Sequence, residues 1–583
     1  MRKKLQHRIE KVSSRISRIE SKLSTTASFR LFTFLSIPAC ALILYFYQID
    51  LILSIFPFIG TILVFYVFVK RYNLQEDFKN RLVSYNDFLS REILRAEKKT
   101  KDLFRSIPVA DSIRNNHPFC EDLNIFEKDG LFSLIDTTST EQGEKLFLSN
   151  LLQSKSETYE EIINRQTTVK RFSNNIWFSY QFIRKASEDW EFFLGKKWET
   201  NGWKRSNSGF YSKRKILRKI FPILSIVGST TIFASMIFQL PFGASFFILN
   251  TVIFLMYRRD SLKEFQFLES VTKRSNQTER LILQINRIDK KWKNEDIKKS
   301  FQTYRSAVSS VWSAPLAHFM MNAFFLHDLW KLRSIEKWTI EYSDSMKIWI
   351  ERLEVIDSLM PFIHLHYTYP TWNFPTIDPK NRSISGLDLT HPLLQENSAV
   401  ANPLNEISEG SVLLITGSNM SGKTTYMRTI GTNILLALCG GVVSAKTLTL
   451  PPLRILCSVK NQDSLTEGIS LFYAEARRLA EIFKSIESND SKYLILLDEI
   501  LKGTNTKERF LASEFIIKRL QGSSAYTLCT THDLDLAKLP NLTLKHFTEK
   551  IVDDAMSFDF QIRDGVVATT NAIFILRKEG VVQ

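Results

Sequence analysis

Nine consecutive residues carry the clearest chemistry in the chain: Gly417, Ser418, Asn419, Met420, Ser421, Gly422, Lys423, Thr424 and Thr425. They fit the spacing G-x-x-x-x-G-K-[ST], after the apolar run 412–415 and before an expected helix, which is the context a phosphate-binding loop needs. The glycines let the backbone turn its N–H groups onto phosphates, and the helix N-terminus adds its positive end. Lys423 is placed to reach the β- and γ-phosphates, and the Thr424 hydroxyl to bind Mg²⁺. A second apolar run, 493–497, ends in Asp498 and Glu499. An acid there holds Mg²⁺, commonly through water, and its neighbour can orient and deprotonate the attacking water. A third run, 525–529, leads to Thr530, Thr531 and His532, where the imidazole can contact a γ-phosphate. The expected chemistry is hydrolysis of ATP with Mg²⁺. Glu499, Lys423 and His532 are its catalytic residues, Thr424 and Asp498 its metal ligands, and residues 417–425 its nucleotide cradle.

These motifs need short strands alternating with helices, and that rhythm begins near residue 380 and continues to the end of the chain. The expected fold is multidomain, with an α/β P-loop ATPase domain over 376–583. Upstream, the pattern is helical. Residues 1–30 hold nine basic residues against two acids, and Ile9, Val12, Ile16, Ile19 and Leu23 recur at helical spacing. This is an amphipathic basic helix. Residues 71–212 are polar and helical, 261–375 carry long helical periodicity, and Pro370, Trp372 and Pro375 mark the change to the α/β region.

Two pairs of charge-free apolar runs interrupt this pattern. The first is 31–47 with 51–69, and the second is 220–239 with 244–257, joined by Leu240-Pro241-Phe242-Gly243. Each run approaches the length that spans a hydrocarbon core of about 30 Å. Basic residues flank both open ends. Transmembrane hairpins over 31–70 and 213–260 are expected, with those ends in the cytoplasm. The N-terminus, the helical core and the ATPase domain then face the cytoplasm from an inner membrane.

Composition sets the remaining bounds. The chain has 583 residues, 44% apolar and 24% charged, which excludes disordered, collagen-like and disulfide-framework proteins. A net charge of +16 favours anionic partners without choosing among them. Five widely spaced cysteines without a CxxC pair read as reduced thiols. The first apolar run lies behind a long charged helix and lacks a small-residue cleavage site, unlike a secretory signal.

The stretch Thr416-Gly-Ser-Asn-Met-Ser-Gly-Lys-Thr-Thr-Tyr-Met-Arg428 closely resembles the P-loop of the MutS family of DNA mismatch repair ATPases. The resemblance continues through His391-Pro392, Ala401-Asn402-Pro403-Leu404, Gly440-Gly441-Val442-Val443, Asp498-Glu499 with Gly503-Thr504, and Thr531-His532. His532 resembles the switch histidine of ATP-binding-cassette-type ATPases. Upstream, Gly130 to Gly143, Ile162 to Val169, and the segment 353–359 with Asp357 resemble the family's core and lever. The resemblance implies a homodimer with ATP sandwiched between subunits. Gly468-Ile-Ser470-Leu-Phe472 resembles the loop that closes the partner's site, so Ser470 would act in trans.

Departures from the family pattern direct the functional expectation. A basic helix and a hairpin stand where the family has its mismatch-reading domain, and the second hairpin stands where its DNA clamp emerges. Ala399 occupies a place where the family often has an aromatic for adenine. Ile500-Leu501-Lys502, Asn505 and Leu471 also differ from the family wording. The expectation is a membrane-anchored MutS-family ATPase that binds DNA in a repair-like or maintenance role, with phosphate contacts dominating. Lys204, Arg205, Lys273, Arg274, Lys290, Lys291 and Lys293 are candidates for those contacts. The alternative is an ATP-driven membrane machine that does not bind DNA. A transporter is disfavoured because no charged residue lies within the spans.

Overall fold

The structure is a computed structural model. It describes residues 2–46, 51–104, 117–153, 157–186, 214–272, 275–308, 315–418, 421–459, 471–488, 491–501, 506–552 and 555–567. Two helices, α1 (Arg2–Phe46) and α2 (Leu51–Ala96), form a long antiparallel pair. At 45 and 46 residues each is close to 70 Å long, taking about 1.5 Å per residue. Each joins a polar part to an apolar part without a break, α1 ending and α2 beginning in the apolar part. In the polar part, Leu5, Val12, Phe88 and Leu89 bury an inner seam that continues into the protein core. In the apolar part, Phe29, Leu31, Phe32, Phe34, Leu35, Leu63, Tyr66 and Val67 are exposed.

The base of α2 is locked in place. Glu92 is fully buried and pairs with Arg95 at 2.7 Å and with His364 at 2.9 Å. Burial alone would raise the Glu92 carboxyl, but His364 and Arg95 outweigh it and hold it below the usual carboxylate range. Arg95 also donates to the carbonyls of Leu134 and Asp136.

The helical core is built from α3 (Glu141–Leu151), α4 (Tyr159–Ser173) and α5 (Ile176–Ala186). Further along the chain, α6 (Lys215–Phe238), α7 (Phe242–Thr272), α8 (Ser275–Ile288), α9 (Asn294–Val308) and α10 (Pro315–Phe325) follow. A single long helix, α11 (His327–Thr368), then leads to the α/β region. The two parts of the core meet at Asp357 on α11. Its carboxylate accepts from the backbone and hydroxyls of Ser139 and Thr140 at 2.8–3.0 Å. An added Cβ on Gly143 would lie 2.4 Å from Asp357 Oδ2, so only glycine fits there.

The second apolar pair, α6 and α7, is a helical hairpin with a third partner. Helix α10 lies against it, and its last carbonyls are capped from the hairpin. Asn250 Nδ2 donates to Ala323 O at 3.0 Å, and Ser225 Oγ donates to Phe325 O at 2.7 Å. A helix end left without such partners in an apolar setting is costly. This gives Ser225 and Asn250 their role within the apolar runs of these helices.

The expectation of two membrane hairpins is corrected in number. Among the described residues one stretch, Ile216–Ser235, is long and apolar enough to cross a membrane by length and composition. In α7 the apolar run is cut short by Arg258, Arg259 and Asp260. Residues 47–50 and many side chains of 41–62 lie outside the described set, so the first pair contributes no such stretch.

Besides a two-stranded ribbon, Glu549–Val552 with Ala555–Phe558, the C-terminal region has two main sheets. One is β1 (Thr376–Ile377), β5 (Thr447–Leu450), β2 (Ser383–Leu389) and β3 (Asn402–Ser408), in that spatial order. The other has β4 (Val412–Thr416) and β8 (Ala525–Thr531) at its centre. β9 (Leu542–His546) flanks β4, while β7 (Tyr493–Asp498) and β6 (Arg454–Ser458) continue past β8, all parallel. β4, β7 and β8 are buried at every position, as central parallel strands must be. Register sets Thr416 opposite Thr531 and Asp498 opposite Thr530. The three motifs therefore emerge together at the carboxyl edge of one sheet, where such folds bind ligands.

Candidate functional site

The loop after β4 turns sharply at Gly417, with φ of 145°, and Gly422, with φ of 109°. A Cβ on Gly417 would meet the carbonyl oxygen of Phe547 at 2.6 Å. Helix α12 (Lys423–Leu438) then begins at Lys423. Lys423 Nζ donates back to the loop carbonyls of Gly417 at 2.7 Å and Ser418 at 2.9 Å. Ser421 is buried, and its hydroxyl has no hydrogen-bond partner among the described residues. Ser418 Oγ donates to Glu549 Oε2 at 2.7 Å. Thr425 follows on the exposed side of α12. Asn419 and Met420 lie outside the described residues, as do Ser470 and the rest of its loop.

The acids stand opposite this loop. Thr424 Oγ1 donates to Asp498 Oδ2 at 2.7 Å, and Thr530 donates to the other oxygen of the same carboxylate. A hydroxyl and a carboxylate side by side are hard oxygen donors, the type that Mg²⁺ selects. Together with the partnerless Ser421 hydroxyl, this donor set fits a phosphate-bound Mg²⁺.

Glu499 adopts φ of 57° and Leu501 φ of 59°. Left-handed backbone at non-glycine positions costs energy and tends to occur at functional turns. The turn aims Glu499 at His532, with Oε1 2.7 Å from Nε2. A carboxylate only accepts, so this nitrogen carries the proton. Lys423 Nζ, at 3.4 Å from the same nitrogen, is a close neighbour rather than its donor. The structure thus brings together Lys423, Thr424, Asp498, Glu499 and His532.

Thr530, at the head of the His532 motif, and three residues outside the motifs complete the site. Thr530 positions Asp498, and Glu549 engages the loop. Phe547 lies under the glycines, stacked edge-on to Tyr426. Phe560 is exposed, and an added Cβ on Gly422 would lie 3.3 Å from its ring. Asn402 ties this segment to β3: its amide donates to Phe560 O, and its oxygen accepts from Ile562 N, both at 2.8 Å. The one sequence signal was Phe558-Asp559-Phe560, an aromatic pair beyond the last long strand. Nothing local marked it as close to residue 422.

A glycine loop between a central parallel strand and a helix, facing acids and a histidine on the neighbouring strand ends, has the form of a phosphate-binding site in an α/β domain. Residues 413–581 match the family MutS domain V. The DNA mismatch repair protein MutS of Natronomonas pharaonis is 30% identical over 215 residues, 36% of this chain. That match covers 24% of the length of that relative. The C-terminal part of the chain is thus similar to MutS domain V, and the chain spans about a quarter of the length of the relative it matches.

Proposed function

We propose that this protein is a membrane-anchored MutS-family ATPase that acts as a dimer, with DNA as its partner. The carrying observation is the convergence of Thr424, Asp498, Glu499 and His532 on the mouth of the 417–422 loop. In this reading, backbone N–H groups and the start of α12 receive the phosphates. Lys423 exchanges its two loop carbonyls for phosphate oxygens. Thr424 would hold Mg²⁺ with Asp498 beside it, and Mg²⁺ would neutralise charge on the β- and γ-phosphates. Phe560 offers a face for the base.

His532 has a partner to give up. Its Nε2–H holds Glu499 at 2.7 Å, and a γ-phosphate within reach would compete for that proton. Moving His532 to the phosphate releases Glu499 to accept a proton from water. The base is thereby freed only when the full triphosphate is in place. Closure by Ser470 from a second copy completes the reading.

The membrane part rests on the exposed apolar surfaces of α1 with α2 and of α6 with α7, and on the stretch Ile216–Ser235. The DNA part rests on the match of residues 413–581 to MutS domain V and on the basic balance. A machine that acts on the membrane without DNA is favoured by one observation. Lys98, just past α2, donates to Leu394 O at 2.5 Å, which ties the first hairpin to the ATPase region.

The test uses the full chain in nanodiscs. Glu499→Gln should bind ATP normally and lose hydrolysis by about 100-fold or more, the usual contribution of a positioned base. Hydrolysis at the wild-type rate would remove Glu499 from that role. A hydrolysis rate that does not respond to duplex DNA at physiological salt would favour the membrane machine.

A further inference from the structure

Helix α1 carries an ordered ladder of cations that the ATPase reading leaves unused. Lys4, Arg8, Lys11, Arg15, Arg18 and Lys22 alternate in steps of four and three residues, and all six are exposed. Each stands one residue before a seam residue: Leu5, Ile9, Val12, Ile16, Ile19 and Leu23. One residue is about 100° of helix rotation. The seam faces inward, so the six cations form a straight row along one flank. The opposite flank, one residue after the seam, holds Gln6, Glu10, Ser13, Ser17, Glu20 and Ser24. The asymmetry is complete: one flank is wholly basic, and the other has no base.

The row is not neutralised from within. The ion pairs of α1 use Arg2 with Glu97, His7 with Glu10, and Glu20 with Lys79. Among the described residues none of the six ladder cations forms an ion pair. Arg8 reaches only the neutral Tyr180 hydroxyl, at 3.4 Å.

Distance excludes the bilayer as the main partner, an argument that rests on the first hairpin being membrane-embedded. Exposed apolar side chains begin at Phe29. Arg15 lies about 21 Å and Lys4 about 38 Å further along the unbroken helix, at about 1.5 Å per residue. The Debye length at physiological salt is about 8 Å. Lipid headgroups are therefore screened from Lys4, Arg8, Lys11 and Arg15. An acidic protein is disfavoured because no aromatic or apolar anchor interleaves with the cations, and such anchors carry most protein interfaces. A phosphate backbone needs only charge at regular intervals. The ladder spans about 27 Å, close to eight base pairs at about 3.4 Å each.

We propose that this flank of α1 binds the phosphate backbone of duplex nucleic acid held away from the membrane. Binding is independent of sequence and strongly dependent on salt.

The test uses the full chain in phosphatidylcholine nanodiscs and a fluorescein-labelled 20-base-pair duplex, followed by anisotropy from 50 to 200 mM KCl. Six phosphate contacts give a slope of log K against log salt of about −5. The triple variant Lys11→Gln, Arg15→Gln, Arg18→Gln should flatten that slope by about 2.7. Ser13→Ala with Ser17→Ala, on the other flank, should leave it unchanged. Helicity and ATP affinity equal to wild type exclude misfolding. Wild-type binding with an unchanged slope in the triple variant overturns the ladder and leaves the DNA reading standing. No binding by wild type at 50 mM KCl overturns both. Loss of binding only to vesicles containing phosphatidylglycerol would assign the row to lipid and overturn the proposal.

Discussion

Replacing Asp357 with alanine tests the joint that closes the helical core. The carboxylate accepts from two backbone N–H groups and two hydroxyls, on Ser139 and Thr140, across 217 and 218 residues of sequence. Burial pushes this carboxyl up, and the four donors pull against it without overcoming it. In Asp357→Ala the hydroxyls can rotate to other acceptors, but the two N–H groups cannot. Each orphaned buried donor costs about 1–3 kcal/mol, so the loss should be about 4 kcal/mol, or a thousandfold in the folding equilibrium. Gly143→Ala attacks the same joint from the other side. Its Cβ would lie 2.4 Å from Asp357 Oδ2 and 2.6 Å from Thr140 Oγ1. Overpacking of that kind costs about 1–3 kcal/mol. With the carboxylate already gone, half of the collision disappears. The double variant should therefore be about 1 kcal/mol more stable than the sum of the singles. Pulse proteolysis over a urea series reads each variant. A cost below about 1 kcal/mol for Asp357→Ala, or strict additivity, would refute the view that this carboxylate closes the joint.

Phe560→Ala should weaken ATP binding by about 5- to 150-fold if the ring stacks on the base, since such stacking contributes about 1–3 kcal/mol. Calorimetric titration with ATP and GTP checks this, and both nucleotides should suffer alike because every base has a π face. Burial lowers His391 and His117 to about 4 from an ordinary 6.5. A depressed folded value means stability that is present above pH 6.5 and lost as pH falls towards 4, by about 3 kcal/mol per histidine. Leu393 N donates to His391 Nδ1 at 3.2 Å, so His391→Asn keeps an acceptor without a titrating group. It should remove close to half of that acid loss in melting experiments from pH 7 to 4.

The site residues were legible where chemistry is written in consecutive residues. The loop 417–425, the acid pair and His532 each follow an apolar strand, and strand ends in one parallel sheet meet by register. The pairing of His532 with Glu499 was not legible, because it depends on the left-handed turn at Glu499, and no glycine marks that turn. Phe560 and Glu549 reach the loop from 130 residues away or more, through tertiary packing alone. In the helical half, periodicity found the helices but not their breaks. Leu326 takes φ of 50° between α10 and α11, where neither glycine nor proline signals an end. The helix 315–325 and its capping by Asn250 and Ser225 therefore read from sequence as part of one longer rod. The basic run and the first apolar run read as separate segments, yet α1 carries both without interruption. Charge pattern marks where the surroundings change, not where a helix stops.

Continuity of the rods bears on how a nucleotide signal would travel. Helix α2 links the first hairpin to Glu92 and Arg95, and α11 links Leu326, beside the second hairpin, to His364 and Tyr369. Their bases meet: Glu92 bonds His364 at 2.9 Å, and Tyr369 Oη donates to Arg95 O at 2.5 Å. Both are buried hydrogen bonds, and each buried group left unpaired costs about 1–3 kcal/mol, so opening the joint costs several kcal/mol. Coupling energies between sites in proteins are typically about 1–3 kcal/mol. The joint is thus stiffer than the signal it would carry, and it should stay closed through the ATP cycle. A displacement of the ATPase edge at Leu394 or Tyr369 would then move both rods together. The two hairpins would respond as one body, turned by the ATPase domain and not pried apart by it.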